Sequence, residues 1–199
     1  EKGQESVIAG IVQSARVALE QAGLSMGDLE AVGIGAPGPS NPHTGMLYTS
    51  PNLPGWRDVL IRDIIQQELG TPAFLINDGN AAALAEHRLG AGKGACCFIY
   101  VTVSTGIGGG IVLEDRIFTG SIGVAGEIGH MTIDDQGPPC NCGNLGCWEV
   151  LASGTALARE GRKRIAAGDG AAILDHAGGV LEAVTARNIQ QAAEAGDAT

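Results

Sequence analysis

The densest chemistry in this sequence lies between Cys140 and Glu149, in the stretch CNCGNLGCWE. Cys140, Cys142 and Cys147 follow the pattern C-x-C-x4-C, and His130 precedes them on the far side of a strand-like MTID. Three thiolates and an imidazole are a common donor set for tetrahedral Zn²⁺. Gly143 and Gly146 let so short a loop fold back until the sulfurs converge. Four protein donors leave no open coordination position, so the metal would be structural. The alternative is a set of unligated thiols and a core histidine; a Cys140–Cys142 disulfide would close a strained ring. Cys96 and Cys97 stand side by side in an apolar run and are expected in the core, on opposite faces of a strand.

A second group of polar residues sits in LINDGNAAALAEH. Asn77 and Asp78 end a strand-like run and precede an alanine-rich helix. Ligands of open α/β sheets bind at that kind of junction. A carboxylate there can take a proton from a hydroxyl nucleophile, as phosphoryl transfer to an alcohol requires. The competing role for Asp78 is to cap the helix. In STGIGGGIV, Ser104 to Val112, a glycine-rich turn can bring backbone N–H groups to a phosphate. It lacks the Gly-Lys-Ser/Thr ending of a Walker loop and leads into a strand rather than a helix. Glu127 and His130 would share a face if GEIGH is helical. One ring nitrogen of His130 could then bind the metal while the other serves a neighbouring ligand. Glu127, Glu149 and Asn52 are candidate hydrogen-bond partners for a polyol.

These groups need a scaffold of alternating strands and helices. Apolar residues recur at helical spacing across ESVIAGIVQSARVALEQAG, with Gly23 as the stop. LEAVGIGAPGPS reads as a short buried strand and a loop. A helix follows PNLPGW, with Val59, Leu60, Ile64 and Leu69 on its buried face and Gly70 and Pro72 ending it. AFLIND is a buried strand, ACCFIYVTVST a long one, and GIGGGIVLEDRIFTG a second strand with a tight return. SGTALAREGRKRIAAGD is helical with Ser153 or Thr155 as cap, and TARNIQQAAEAGD is helical too. The class is α/β.

Composition narrows the functions. The chain has 199 residues, a formal net charge of −10 and a pI near 4.7. That excludes a basic nucleic-acid groove and an acidic membrane surface as partners. No apolar run is long enough to span a bilayer. Sparse cysteines suit a reducing, cytoplasmic setting. The chain opens on Glu1 and ends in QQAAEAGDAT, which reads as a segment of a larger protein.

GEIGH, CNCGNLGCWE, LINDGNAAALAEH and TVSTGIGGGIV, in their order here, resemble the ROK family of bacterial sugar kinases and sugar-sensing repressors. The similarity runs from about Ala31 to Gly154, and SPNLPGW is nearest the glucokinase branch. The resemblance implies the actin-like ATPase (hexokinase-like, ribonuclease H-like) fold, incomplete here, with the sugar cleft between two lobes. Residues 1–90 would be the remainder of the N-terminal lobe, and 91–199 part of the C-terminal lobe with the zinc loop.

The same resemblance makes Asp78 the base that deprotonates the sugar hydroxyl. It makes Gly38, Asn52, Asn77, Glu127, His130 and Glu149 sugar ligands. Thr105, Gly106, Gly108 and Gly109 would bind phosphate, and His130, Cys140, Cys142 and Cys147 the zinc. The implied ligands are a hexose, glucose first, and Mg-ATP, in a cytoplasmic homo-oligomer (dimer or tetramer). The alternatives are a sugar-responsive repressor, a kinase of fructose, mannose or N-acetylmannosamine, and polyphosphate as donor. The family's Asp-x-Gly-x-Thr loop is absent, the adenosine-binding region and closing helix are expected beyond Thr199, and Gly79 replaces an expected alanine. On this reading the isolated segment is a poor or inactive kinase.

Overall fold

The computed structural model describes residues 3–50, 53 and 55–197. Asn52 lies outside the described residues. The chain forms two compact units, one of residues 1–100 and 110–126, the other of 101–109 and 127–199.

The first unit opens with α1 (Gln4–Ala22), closed by Gly23 in the left-handed conformation. Strand β1 (Val32–Ala36) pairs in parallel with β5 (Ala73–Asn77). Between them run β2 (Ser40–Asn41), β3 (Met46–Thr49) and β4 (Arg57–Val59), an antiparallel sheet in that order, followed by α2 (Ile61–Leu69). One core joins these elements: Val12 of α1, Leu47, Trp56, Ile61, Ile65, Leu69 and Leu75 are all buried in it. Helix α3 (Asp78–Leu89) follows β5 without a break.

Two expectations change here. Leu69 lies on the buried face of α2 as expected, but its companions there are Ile61 and Ile65 rather than Val59, Leu60 and Ile64. Leu60 occupies the position before the first turn and is exposed, and Val59 belongs to β4. The i, i+4 spacing therefore counts from Ile61. Strands β1 and β5 are also not buried throughout: Phe74 is 65% exposed between buried Ala73 and Leu75. A two-stranded sheet covered on one face shows that alternation.

The third sheet runs β6 (Cys97–Val103), β7 (Ile107–Leu113) and β8 (Arg116–Ile117). The return between β7 and β8 is the tight one expected. Glu114 and Asp115 both take positive φ, 49° and 63°, which matches the right-handed twist of a two-residue hairpin. Strand β6 ends the sheet, and its odd-numbered residues Ile99, Val101 and Val103 are exposed. Cys96 and Cys97 are exposed as well, contrary to the expected core placement. Core placement of both cysteines would need β6 covered on both faces, whereas its residues alternate between exposed and half-buried.

The second unit contains a 3₁₀ turn over Ile128–His130, the cysteine loop, and helices α4 (Trp148–Ala152), α5 (Gly154–Ala166), α6 (Ala171–His176) and α7 (Ala186–Glu194). Ser153 caps α5, its hydroxyl accepting the Ala156 amide at 3.2 Å. Ile173, Val184 and Ala192 form this unit's apolar centre.

Candidate functional site

Within the first unit, Asn77 rather than Asp78 caps α3. Its Oδ1 accepts the Asn80 amide at 3.1 Å, and its Nδ2 donates to the Gly38 carbonyl at 3.2 Å. The amide keeps one hydrogen and one lone pair for another partner. Asp78 is the first helical residue; its Oδ1 accepts the Gly79 amide at 2.9 Å, and Oδ2 makes no hydrogen bond to a described residue. The junction thus presents an exposed carboxylate whose outer oxygen can receive a proton.

Within the second unit, the cysteine loop has almost no regular structure. Isolated bridges pair Thr132 with Cys147 and Pro139 with Leu145. The Cys140 amide donates to Asn144 O at 2.8 Å, and the Gly146 amide to Pro138 O at 2.8 Å. Gly143 and Gly146 take φ of 97° and 54°, and a Cβ at Gly146 would overlap the Asp134 carbonyl. Only glycine closes this loop.

The loop brings His130, Cys140, Cys142 and Cys147 together, all four ligand atoms within 4.8 Å of one another. Cys140 Sγ lies 3.5 Å from His130 Nδ1, and Cys142 Sγ lies 3.6 Å from Cys147 Sγ. That S···S distance is far too long for a disulfide. Bonds of about 2.3 Å to sulfur and about 2.0 Å to nitrogen, arranged tetrahedrally, require edges of roughly 3.8 Å between sulfurs and roughly 3.5 Å from sulfur to nitrogen. The four side chains could hold a metal ion of that kind. Burial, first, and the neighbouring cysteines push the Cys147 thiol up to about 12, while the Asn144 amide, first, pulls Cys142 down. The other ring nitrogen of His130, Nε2, faces Glu127 Oε2 at 3.9 Å.

Cys147 also begins α4, so Glu149 leaves the loop on the helix's first turn. Its Oε2 accepts the Ile107 amide at 2.8 Å. The glycine-rich turn is therefore tied to the cysteine loop, and a Cβ at Gly106 would collide with the Glu149 carboxylate. The start of α5 holds the same turn: Gly154 N donates to Ser104 O at 2.7 Å and Thr155 Oγ1 to Thr105 O at 2.8 Å. Thr105 and Gly106 form the turn itself, and Gly108 and Gly109 lie in β7.

Beside the turn is a cavity of about 630 Å³, walled by Ser104, Thr105, Leu157, Arg162, Glu182 and Thr185 among others. Sequence reasoning missed it, because its walls come from three separate segments with no shared motif. Another groove, of about 470 Å³ between α1 and α2, carries none of the predicted residues.

The ROK family profile matches residues 1–199. The chain belongs to the ROK family. It is 47% identical over 136 residues to the glucokinase of Halalkalibacterium halodurans, an alignment covering 68% of this chain and 41% of that protein. It is 43% identical over 129 residues to the xylose repressor of Bacillus spizizenii, covering 65% of this chain and 33% of the repressor. Among solved structures, the ROK family glucokinase from Streptomyces griseus in complex with glucose and AMPPNP superposes with a TM-score of 0.81 at 37% identity, covering 100% of this chain and 62% of that one. The fold is the α/β, actin-like ATPase fold of ROK sugar kinases. The chain spans about half the length of the curated relatives it matches.

Proposed function

We propose that the protein carrying this ROK segment is an ATP-dependent hexose kinase, a glucokinase, that phosphorylates the 6-hydroxyl of glucose. The observation that carries this reading is the outer oxygen of Asp78, left unspent because Asn77 does the capping. Asp78 Oδ2 takes the hydroxyl proton as the sugar oxygen attacks the γ-phosphorus of Mg-ATP, and ADP departs in line. Most of the acceleration comes from positioning and charge stabilisation. Glucokinase and hexokinase relatives support the reading, and so does the neighbour whose crystals held glucose and AMPPNP.

Gly38, Asn52, Asn77, Glu127, His130 and Glu149 bind the sugar in this proposal, and the backbone around Thr105, Gly106, Gly108 and Gly109 binds phosphate. The cavity beside Ser104 and Thr105 is suited to part of the nucleotide, with Leu157 as apolar wall. His130, Cys140, Cys142 and Cys147 would hold a structural Zn²⁺, whose contribution is to fix the loop. Residues 1–90 and 91–199 are assigned to the N- and C-terminal lobes. The setting is the cytoplasm; no helix among the described residues is long and apolar enough to cross a membrane. A homo-oligomer is part of the same proposal.

A repressor is the second reading, favoured by the 43% identity to a xylose repressor. A coupled assay of the full-length protein against glucose, fructose, mannose, N-acetylmannosamine and xylose, with ATP and with polyphosphate, separates the readings. Turnover of glucose with ATP is the expected result. Xylose binding without turnover of any sugar would replace the kinase by the repressor.

A further inference from the structure

Cys96 and Cys97 stand apart from every group used above. Both thiols are exposed and free. The chain bends at Cys96 and enters β6 only at Cys97, so the alternation that separates neighbours within a strand does not apply to them. The Cys96 thiol, by hydrogen bonding first and then by its charge, followed by burial and the charge of Glu114, holds the Cys97 thiol above its ordinary value.

The backbone beneath the pair is fixed on both sides. The Cys96 carbonyl accepts the Glu114 amide at 2.9 Å, at the start of the β7–β8 turn. The Ala95 carbonyl accepts from Nε2 of the buried His87 at 2.8 Å. Two soft donors, adjacent in the chain and both exposed, therefore stand on one anchored stretch of surface. The only cluster of at least three candidate ligands among the described residues is the His130 and cysteine-loop set. Two thiols are too few for a closed tetrahedral zinc site. They are the full complement for a centre that needs two sulfur bonds.

We propose that Cys96 and Cys97 form a surface dithiol site for trivalent, thiophilic metalloid species of the organoarsenical class. An arsenic(III) oxide, R–As=O, exchanges its oxygen for two sulfurs. Two As–S bonds form, both thiol protons leave with the oxygen as water, and arsenic stays trivalent. The second bond closes within one molecule, at an effective concentration that makes the chelate about 10²–10⁴-fold tighter than one thiol alone.

The test uses the full-length protein, zinc-loaded, with phenylarsine oxide as probe in the presence of excess glutathione. Native mass spectrometry counts adducts, and a peptide map locates them. One phenylarsenic per chain is expected on the peptide containing Cys96 and Cys97, kept in glutathione and stripped by 2,3-dimercaptopropanol. Cys96→Ser and Cys97→Ser should each weaken retention about a hundredfold. Both side chains are exposed, so both variants should fold, and unchanged zinc content and circular dichroism check this. No retained adduct on the wild-type protein overturns the proposal. So does an adduct that survives in the double variant, or one that maps to Cys140, Cys142 or Cys147.

Discussion

The β5–α3 corner and the cysteine loop solve the same problem, holding a carboxylate in place, by opposite means. At the corner, regular structure does the positioning. A parallel strand runs straight into a helix, one asparagine caps it, and Asp78 is fixed by its place in the first turn. The cysteine loop has two isolated bridges and no helix or strand of its own until Cys147. Glu149 there is held only as well as the loop is held. The difference is that repeated backbone hydrogen bonds make a corner self-supporting, whereas a glycine-rich loop needs a cross-link between distant side chains.

If that contrast is right, the largest effect comes from removing a metal ligand. Cys140→Ser should abolish zinc retention and destabilise the second unit by more than about 4 kcal/mol, as loss of a structural metal typically does. Metal analysis and denaturant titration check it. Glucose affinity and ATP turnover should fall together, because Glu149 ties the loop to the Ile107 amide. A loss confined to glucose would break that link. The metal should also bind less tightly as pH falls. Zinc takes Cys147 as thiolate, and burial pushes the metal-free thiol up to about 12. Every pH unit below that value therefore costs about a factor of ten in apparent affinity through this group.

Asp78→Asn tests the other side of the comparison. A self-supporting corner should tolerate it, with unfolding midpoint unchanged and kcat lower by about 10²–10⁴-fold, the span of general base catalysis. Glucose binding by calorimetry should persist. Near-normal turnover would remove Asp78 as the base.

Local signals in the sequence carried much of this. The α1 pattern with Gly23, the Ser153 cap and the β7–β8 return all follow from short-range chemistry that tertiary context did not overrule. The cysteine loop was legible for the same reason: its donors sit close in sequence. Exposure was less legible, because it depends on what covers each face. Cys96, Cys97 and Phe74 looked internal by composition, yet β6 and β5 each leave residues open. The choice between Asn77 and Asp78 as cap turned on a one-residue difference in where α3 begins. The cavity beside Ser104 joins residues from positions 103 to 187, and no local pattern announces it.

A smaller effect is expected where the two devices act on one turn. Gly106→Ala places a methyl group against the Glu149 carboxylate. Relieving the overlap means giving up the Ile107 hydrogen bond, at about 1–3 kcal/mol, the cost of an overpacked contact. The KM for ATP should rise while zinc stays bound, since the cysteine donors are untouched. Loss of zinc in this variant would mean that the glycine turn supports the loop rather than the loop the turn.

The smallest effect should come from Asn77→Ala. It removes the cap on α3 and the tie to the Gly38 carbonyl, and a lost cap alone costs about 1 kcal/mol. Asn77→Asp keeps the capping oxygen but loses the donor to Gly38, so the pair of variants divides the two contacts. If the cap contributes more to the corner than the Gly38 tie, Asn77→Asp should regain most of the stability. Sugar affinity would then stay low, because the Gly38 loop is no longer anchored. Equal stability of the two variants would show that the Gly38 tie, and not the cap, is what holds Asp78 in place.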